Sequence, residues 1–327
     1  MIRILIALGI VSGLIQLFKH KKGKLVISES SNCQDEFDAF NENLEIPPSK
    51  MKRLKQARKA IQNAIQKYFE NQKDFTTPKF YLQGSYASGT MIRNSKDQCD
   101  FDIGLYFFQE PSKGYSTIQN HIKKALTGHT TAGINLLSRC VRLKYQGDFN
   151  IDMPVYYTTD GKLFYLGNRD KEEEWELCDS KIFKDWVING TKDNPQKIRI
   201  IRYLKAWSDH YHSQKRIKMP SGLVFTIWAI QFYQPNERDD VALVHTSAAI
   251  LKHLNDNFQF TCTCKMPVTP NDNVLDRLSK KRQSNFCDAL HGLVSKGFEA
   301  VSSDKKTKAI KIWGKLLGKR FPDLDIS

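Results

Sequence analysis

Apolar residues alternate with polar ones in several short stretches between residues 79 and 157, and elsewhere they recur every three or four positions. Alternation is the period of a half-buried strand, and the wider spacing is that of an amphipathic helix. Strands are predicted over 79–83 (KFYLQ), 100–108, 139–146 (RCVRLKYQ) and 149–157, with a turn at Gly147-Asp148 and a helix over 115–126. Upstream, Ser49 is placed as the N-cap of a helix from about Lys50 to Phe69, with the stripe Met51, Leu54, Ala57, Ile61, Ile65 and Phe69. The opposite face carries Lys52, Arg53, Lys55, Arg58 and Lys59, which suits either nucleic acid or plain solvent. Residues 25–48 are polar and mixed, with Phe37, Phe40, Leu44 and Ile46 as buried points and Pro47-Pro48 as a break.

Beyond residue 170 the pattern turns helical. A cap at Ser180 opens the first helix, and Pro195 opens another over 195–211 with Ile198, Ile201, Leu204 and Trp207 on one side. Met219-Pro220-Ser221-Gly222 punctuates the chain before the apolar run Leu223 to Tyr233. Helices are predicted over 241–258 and 272–297, and a basic one carrying Trp313 over 304–321. The expected fold class is α+β, with a strand-bearing lobe over 31–170 and a helical lobe over 171–327. Residues 1–30 stand apart as a hydrophobic segment and basic linker. Residues 2–18 are nearly all apolar and precede Lys19-His20-Lys21-Lys22-Gly23-Lys24. Their length is at the short end for a bilayer span, and no small-residue cleavage site follows. The expectation is a cytoplasmic protein anchored by this segment to the cytoplasmic face of a membrane. A docked amphipathic helix or a start codon placed too far upstream are the competing readings.

At 327 residues two lobes are the better prior, and the hydrophobic and charged fractions exclude global disorder. The net charge of +15 suits a polyanionic partner, whether nucleic acid, nucleoside triphosphates or an anionic membrane surface, and equally a solvated basic face. Seven scattered cysteines fit reduced thiols better than a disulfide framework. Cys262-Thr263-Cys264 with His253 and Cys287 could bind zinc, but a C-x-C pair without the second-half spacing of a zinc site favours buried thiols.

The candidate chemistry lies in Gln83-Gly84-Ser85-Tyr86-Ala87-Ser88-Gly89-Thr90, followed by Asp100-Phe101-Asp102-Ile103-Gly104. On a strand, Asp100 and Asp102 share a face while Phe101 and Ile103 point to the core. Two carboxylates on one face suit a hard divalent cation, and the backbone amides of Gly84 and Ser85 with the Ser85 hydroxyl suit phosphate oxygens. On the returning strand Asn150 and Asp152 share the face opposite Phe149, Ile151 and Met153, which makes Asp152 the candidate third carboxylate. Three carboxylates beside a phosphate-holding turn fit nucleotidyl transfer with two Mg2+ ions, Mn2+ being the substitute.

The runs QGSYASGT, DFDIGLYF and NIDMPVYY resemble the DNA polymerase β-like nucleotidyltransferases. Among these the chain is most similar to the CD-NTases, the cyclic GMP-AMP synthase-like enzymes of bacterial antiphage (CBASS) systems. DAFNENLEIPPSKMKRLKQARKAIQNAI, IRIIRYLKAW, MPSGL and WGKLLGKRFP extend the similarity over about residues 33–322. The resemblance implies an enzyme that joins nucleoside triphosphates, ATP or GTP among them, into a cyclic di- or trinucleotide read by a downstream effector. It implies that Asp100, Asp102 and Asp152 bind metal and that Gly84 and Ser85 hold the donor triphosphate. It also brings in Lys205 of LKAW and Ser221 of PSG as triphosphate contacts from the other lobe. Direct nucleic-acid binding is not the favoured use of the basic charge. The alternative is a template-independent transfer to an RNA end, a small molecule or a protein.

Overall fold

In Cys99–Phe107 every second side chain is apolar, and Cys99, Phe101, Ile103, Leu105 and Phe107 are all buried. This strand, β2, is the centre of the sheet in a computed structural model that describes residues 27–255 and 262–322. Among the described residues the strands are β1 (Lys79–Gln83), β2, β3 (Ile134–Leu136), β4 (Val141–Tyr145), β5 (Phe149–Met153), β6 (Val155–Tyr157), β7 (Tyr165–Gly167) and β8 (Trp175–Leu177). They form one mixed sheet in the order β3-β4-β5-β2-β6-β7-β8, with β1 also paired to β2. β1 runs antiparallel to β2, whereas β5 and β6 run parallel to its two halves.

The predicted strand over 149–157 divides at Pro154. Proline has no N–H to give the ladder, and its carbonyl instead accepts from the Leu105 N–H at 2.9 Å. β3, β7 and β8 were not predicted, because three residues are too few for an alternation to register.

The core-facing side of β2 joins Ile151, Met153 and Val155 beneath two helices. Pro48–Glu70 contributes Leu54, Ile61, Ile65 and Phe69, and Tyr115–Ala125 contributes Ile118 and Ile122. Each such side chain, fully withdrawn from water, contributes roughly 1.5–3 kcal/mol. The other side of β2 begins with Asp100 and Asp102 and ends at Tyr106, which stacks on Tyr156 at 4.5 Å.

Two local expectations are corrected. The helix expected to be capped by Ser49 begins two residues earlier, at Pro48, whose fixed φ suits the first turn. In its first turn Lys50 is buried and paired with Asp97 at 2.9 Å and Asp148 at 3.3 Å. The helix Ser180–Thr191 is capped by Asp179, which accepts from the Lys181 and Ile182 amides, rather than by Ser180.

The chain forms two compact units. One holds Leu44–Asp209 with Cys264–Val274, and the other holds the segments up to Asn43, His210–Thr263 and from Leu275 onward. The second unit is helical. It contains the helix Gln34–Leu44 up to Asn43, whose residues were read from sequence as buried points, together with Gly222–Gln231, Asp239–Leu254, Lys280–Val301 and Lys306–Leu317. Phe37 is fully buried there against Trp313 and Phe321, with ring centroids 5.1 and 5.2 Å away.

The expected membrane anchorage is also corrected. The run 2–18 lies outside the described residues, and among those described no helix is long and apolar enough to cross a membrane. Anchoring therefore has no support in the structure. Cys262, Cys264 and Cys287 are buried thiols outside any disulfide.

Candidate active site

The register of β1 against β2 sets Gln83 opposite Asp102, so the chain leaving β1 turns directly over that carboxylate. At Gly84 φ is +65°, and a Cβ there would lie 2.0 Å from Asp102 Oδ2. Glycine alone meets both demands. Gly84–Ala87, the expected Gly-Ser turn, forms a single helical turn. The loop closes on itself: the Thr90 N–H donates to the Ser85 carbonyl at 2.9 Å, and the Ser88 and Thr90 hydroxyls lie 3.1 Å apart.

Lys205, on the helix Pro195–Lys215, reaches this loop. Its Nζ donates to the Thr90 carbonyl at 3.2 Å and to Thr90 Oγ1 at 2.9 Å. Lys205 was expected in the helical lobe, yet the chain up to Asp209 belongs to the unit that holds the sheet. Burial, then the neighbouring Arg202, pushes the Lys205 ammonium down to about 7, with Asp102 opposing. Arg202 donates to Glu45 and to the Gly89 carbonyl, both at 3.0 Å, which gives the loop a second tether to the same helix.

The parallel register of β2 and β5 sets Asp100 beside Asn150 and Asp102 beside Asp152. Asp100, Asp102 and Asp152 thus share one face of two adjacent strands. Asn150 Nδ2 donates to Asp100 Oδ1 at 2.9 Å. Arg142 on β4 stands opposite Asp152, and its Nε and Nη2 donate to the two Asp152 oxygens at 2.7 Å each. The same guanidinium lies 3.8 Å from Asp100 Oδ2.

Six of the seven candidate residues, Gly84, Ser85, Asp100, Asp102, Asp152 and Lys205, lie in the sheet-bearing unit. Ser221 belongs to the other, immediately ahead of the helix Gly222–Gln231. Sequence reasoning missed Arg142, Asn150 and Thr90. The signal for Arg142 was present: with Tyr145 and Phe149 closing the hairpin, counting back along both strands sets Arg142 against Asp152.

The donor set fits a divalent metal. All three groups are carboxylates, the hard oxygen ligands that magnesium takes. Burial, then Asp152 and Asp100, pushes the Asp102 carboxyl up to about 7, with only Arg142 and Lys205 opposing. Crowded negative charge of this kind is what a bound cation relieves. Among the described residues no three His, Cys, Asp or Glu side chains are gathered into a metal cage, and Asp152 faces Arg142.

Residues 32–190 match the model of the Second Messenger Oligonucleotide or Dinucleotide Synthetase (SMODS) domain. The chain is 27% identical over 189 residues to a cyclic GMP-AMP synthase of Escherichia albertii, a match that takes in 54% of this chain and 42% of that protein. It is 23% identical over 264 residues to a cyclic AMP-AMP-AMP synthase of an Acinetobacter species, covering 74% of this chain and 72% of the relative. Its fold is similar to the crystal structure of the Vibrio cholerae DncV cyclic AMP-GMP synthase, with a TM-score of 0.76, 17% identity, and coverage of 89% of this chain and 98% of that one. A SMODS match over the residues that hold the whole sheet, on an α+β fold similar to that of DncV, makes this chain similar to the CD-NTases.

Proposed function

We propose that the chain joins nucleoside triphosphates, ATP or GTP among them, into a cyclic di- or trinucleotide and releases pyrophosphate. The observation that carries this reading is the registered set of Asp100, Asp102 and Asp152 under the Gly84 turn. The names of the relatives, synthases of cyclic GMP-AMP and of cyclic AMP-AMP-AMP, support it.

In each transfer a ribose hydroxyl oxygen bonds to the donor α-phosphorus as the bond from that phosphorus to the β-bridging oxygen breaks. Pyrophosphate leaves with the electron pair, the hydroxyl proton is lost to water, and a last transfer within the linear product closes the ring. Asp100, Asp102 and Asp152 would hold magnesium, or manganese in its place, which would supply positive charge to activate the attacking oxygen and offset the leaving pyrophosphate. The Gly84 and Ser85 amides and the Ser85 hydroxyl hold the β- and γ-phosphates. Lys205 sits 2.9 Å from Thr90 Oγ1 at the end of that loop, and a triphosphate beside it favours its charged form. Ser221 is assigned to the triphosphate from its motif.

Labelled ATP and GTP incubated with magnesium and the full chain are expected to yield a small phosphatase-resistant product without any added acceptor. Label found only on an added RNA, small molecule or protein would select the acceptor-modifying reading instead. Asp100→Ala with Asp102→Ala is expected to lower triphosphate consumption by about a thousandfold or more, as loss of a metal-ion Lewis acid implies. Unchanged consumption would refute the metal site. Mass spectrometry of the product reads ring size and base composition.

A further inference from the structure

Arg142 grips Asp152 at both oxygens with bonds of 2.7 Å and stands 3.8 Å from Asp100. One guanidinium therefore touches two of the three carboxylates assigned to metal. The Asp152 side chain is 13% exposed, deep enough that its charge needs a counter-charge when no metal ion is bound. The β4–β5 register supplies one, because Arg142 and Asp152 are directly opposed and the planar fork matches a carboxylate at two points.

We propose that Arg142 is a positioning residue that stands in for a cation at the acidic face, holding Asp152 until a divalent ion displaces the guanidinium. The inference rests on the metal-site reading given above. Two features make Arg142 a competitor of the metal rather than a support behind it. Its donors take both Asp152 oxygens, and its charge reaches round to Asp100, so a dication on the acidic face meets a positive group within about 4 Å of two of its ligands. An arginine that merely oriented Asp152 from behind would strengthen metal binding instead. With the clamp closed, the face binds bare divalent ions poorly. Ions that arrive with a triphosphate bring negative charge to receive the freed guanidinium, so the clamp favours the metal–nucleotide complex over the free metal.

The test is Mn2+ binding to the full chain without nucleotide, read by electron paramagnetic resonance. Arg142→Gln is expected to bind Mn2+ about tenfold tighter than the unaltered chain, the order of effect of a partly buried charge-assisted pair. Arg142→Lys keeps the charge but loses the fork, and about threefold is expected. In an Asp152→Asn background the Arg142→Gln change is expected to shift Mn2+ affinity by less than about twofold, since the clamped carboxylate is gone. Circular dichroism checks that each variant is folded, and Arg142→Lys decides the question if Arg142→Gln is not. Equal or weaker Mn2+ binding in the folded variants would overturn the clamp. If Arg142→Gln binds Mn2+ tightly and adding Asp100→Ala and Asp102→Ala changes nothing, the metal-site reading falls, and the clamp with it.

Discussion

At Gly84 a φ of +65° coincides with a place where a Cβ would stand 2.0 Å from Asp102 Oδ2. Gly84→Ala must therefore displace either the turn or the carboxylate. The expected result is a loss of stability of about 1–2 kcal/mol from the left-handed backbone alone, seen as a lower Tm. Turnover is expected to fall by about a hundredfold or more, because Asp102 moves relative to the loop proposed to hold phosphate. A folded, fully active Gly84→Ala enzyme would contradict this placement of the turn. Lys205 gives a pH signature. Its ammonium is held down to about 7, against about 10.4 for an unfolded lysine. Between those values the unfolded chain binds more protons, so this group makes stability rise with pH from about 7 to 10. Lys205→Met removes that cost and is expected to raise Tm at pH 7 by more than at pH 10, while triphosphate KM rises. An equal Tm change at both pH values would show that the ammonium is not desolvated.

The helix Gln34–Leu44 shows how an element is decided by what it meets. Phe37, Phe40 and Leu44 have helical spacing, but the Asp and Asn residues between them have poor helix propensity. Packing of Phe37 on Trp313 and Phe321 decides the outcome within the helical unit. Phe37→Ala is expected to cost about 3–5 kcal/mol, measurable as a fall in the denaturant midpoint of the full chain with the slope unchanged. A shift equivalent to less than about 1 kcal/mol would mean that this aromatic cluster does not hold the helix. The strands follow the same logic. β1 and β2 were legible because their strand-forming apolar residues run over five and nine positions, whereas β7 and β8 are three-residue strands formed by pairing to β6 and to each other.

In the molecule as a whole, residues far apart in the chain meet because the sheet registers them. Asp100, Asp102 and their place beside Gly84 were readable from sequence, since an i, i+2 pair on a strand shares a face whatever surrounds it. The approximate helices and strands were readable for the same reason: periodicity is local, and each element carries its own. That Asp152 stands beside Asp102 and not one position off follows from the β2–β5 pairing, in which a slip of one residue would turn Asp152 into the core. That Lys205 reaches Thr90, and that Arg142 takes the third carboxylate, are contacts across 115 and 10 residues of chain. The sequence by itself determined the type of chemistry, because carboxylates and a Gly-Ser turn keep their character in any fold. Only the tertiary structure decided that Asp102 stands beside Asp152 and that the Lys205 charge reaches their loop at Thr90, because Coulomb energy depends on distances that strand register and helix packing set.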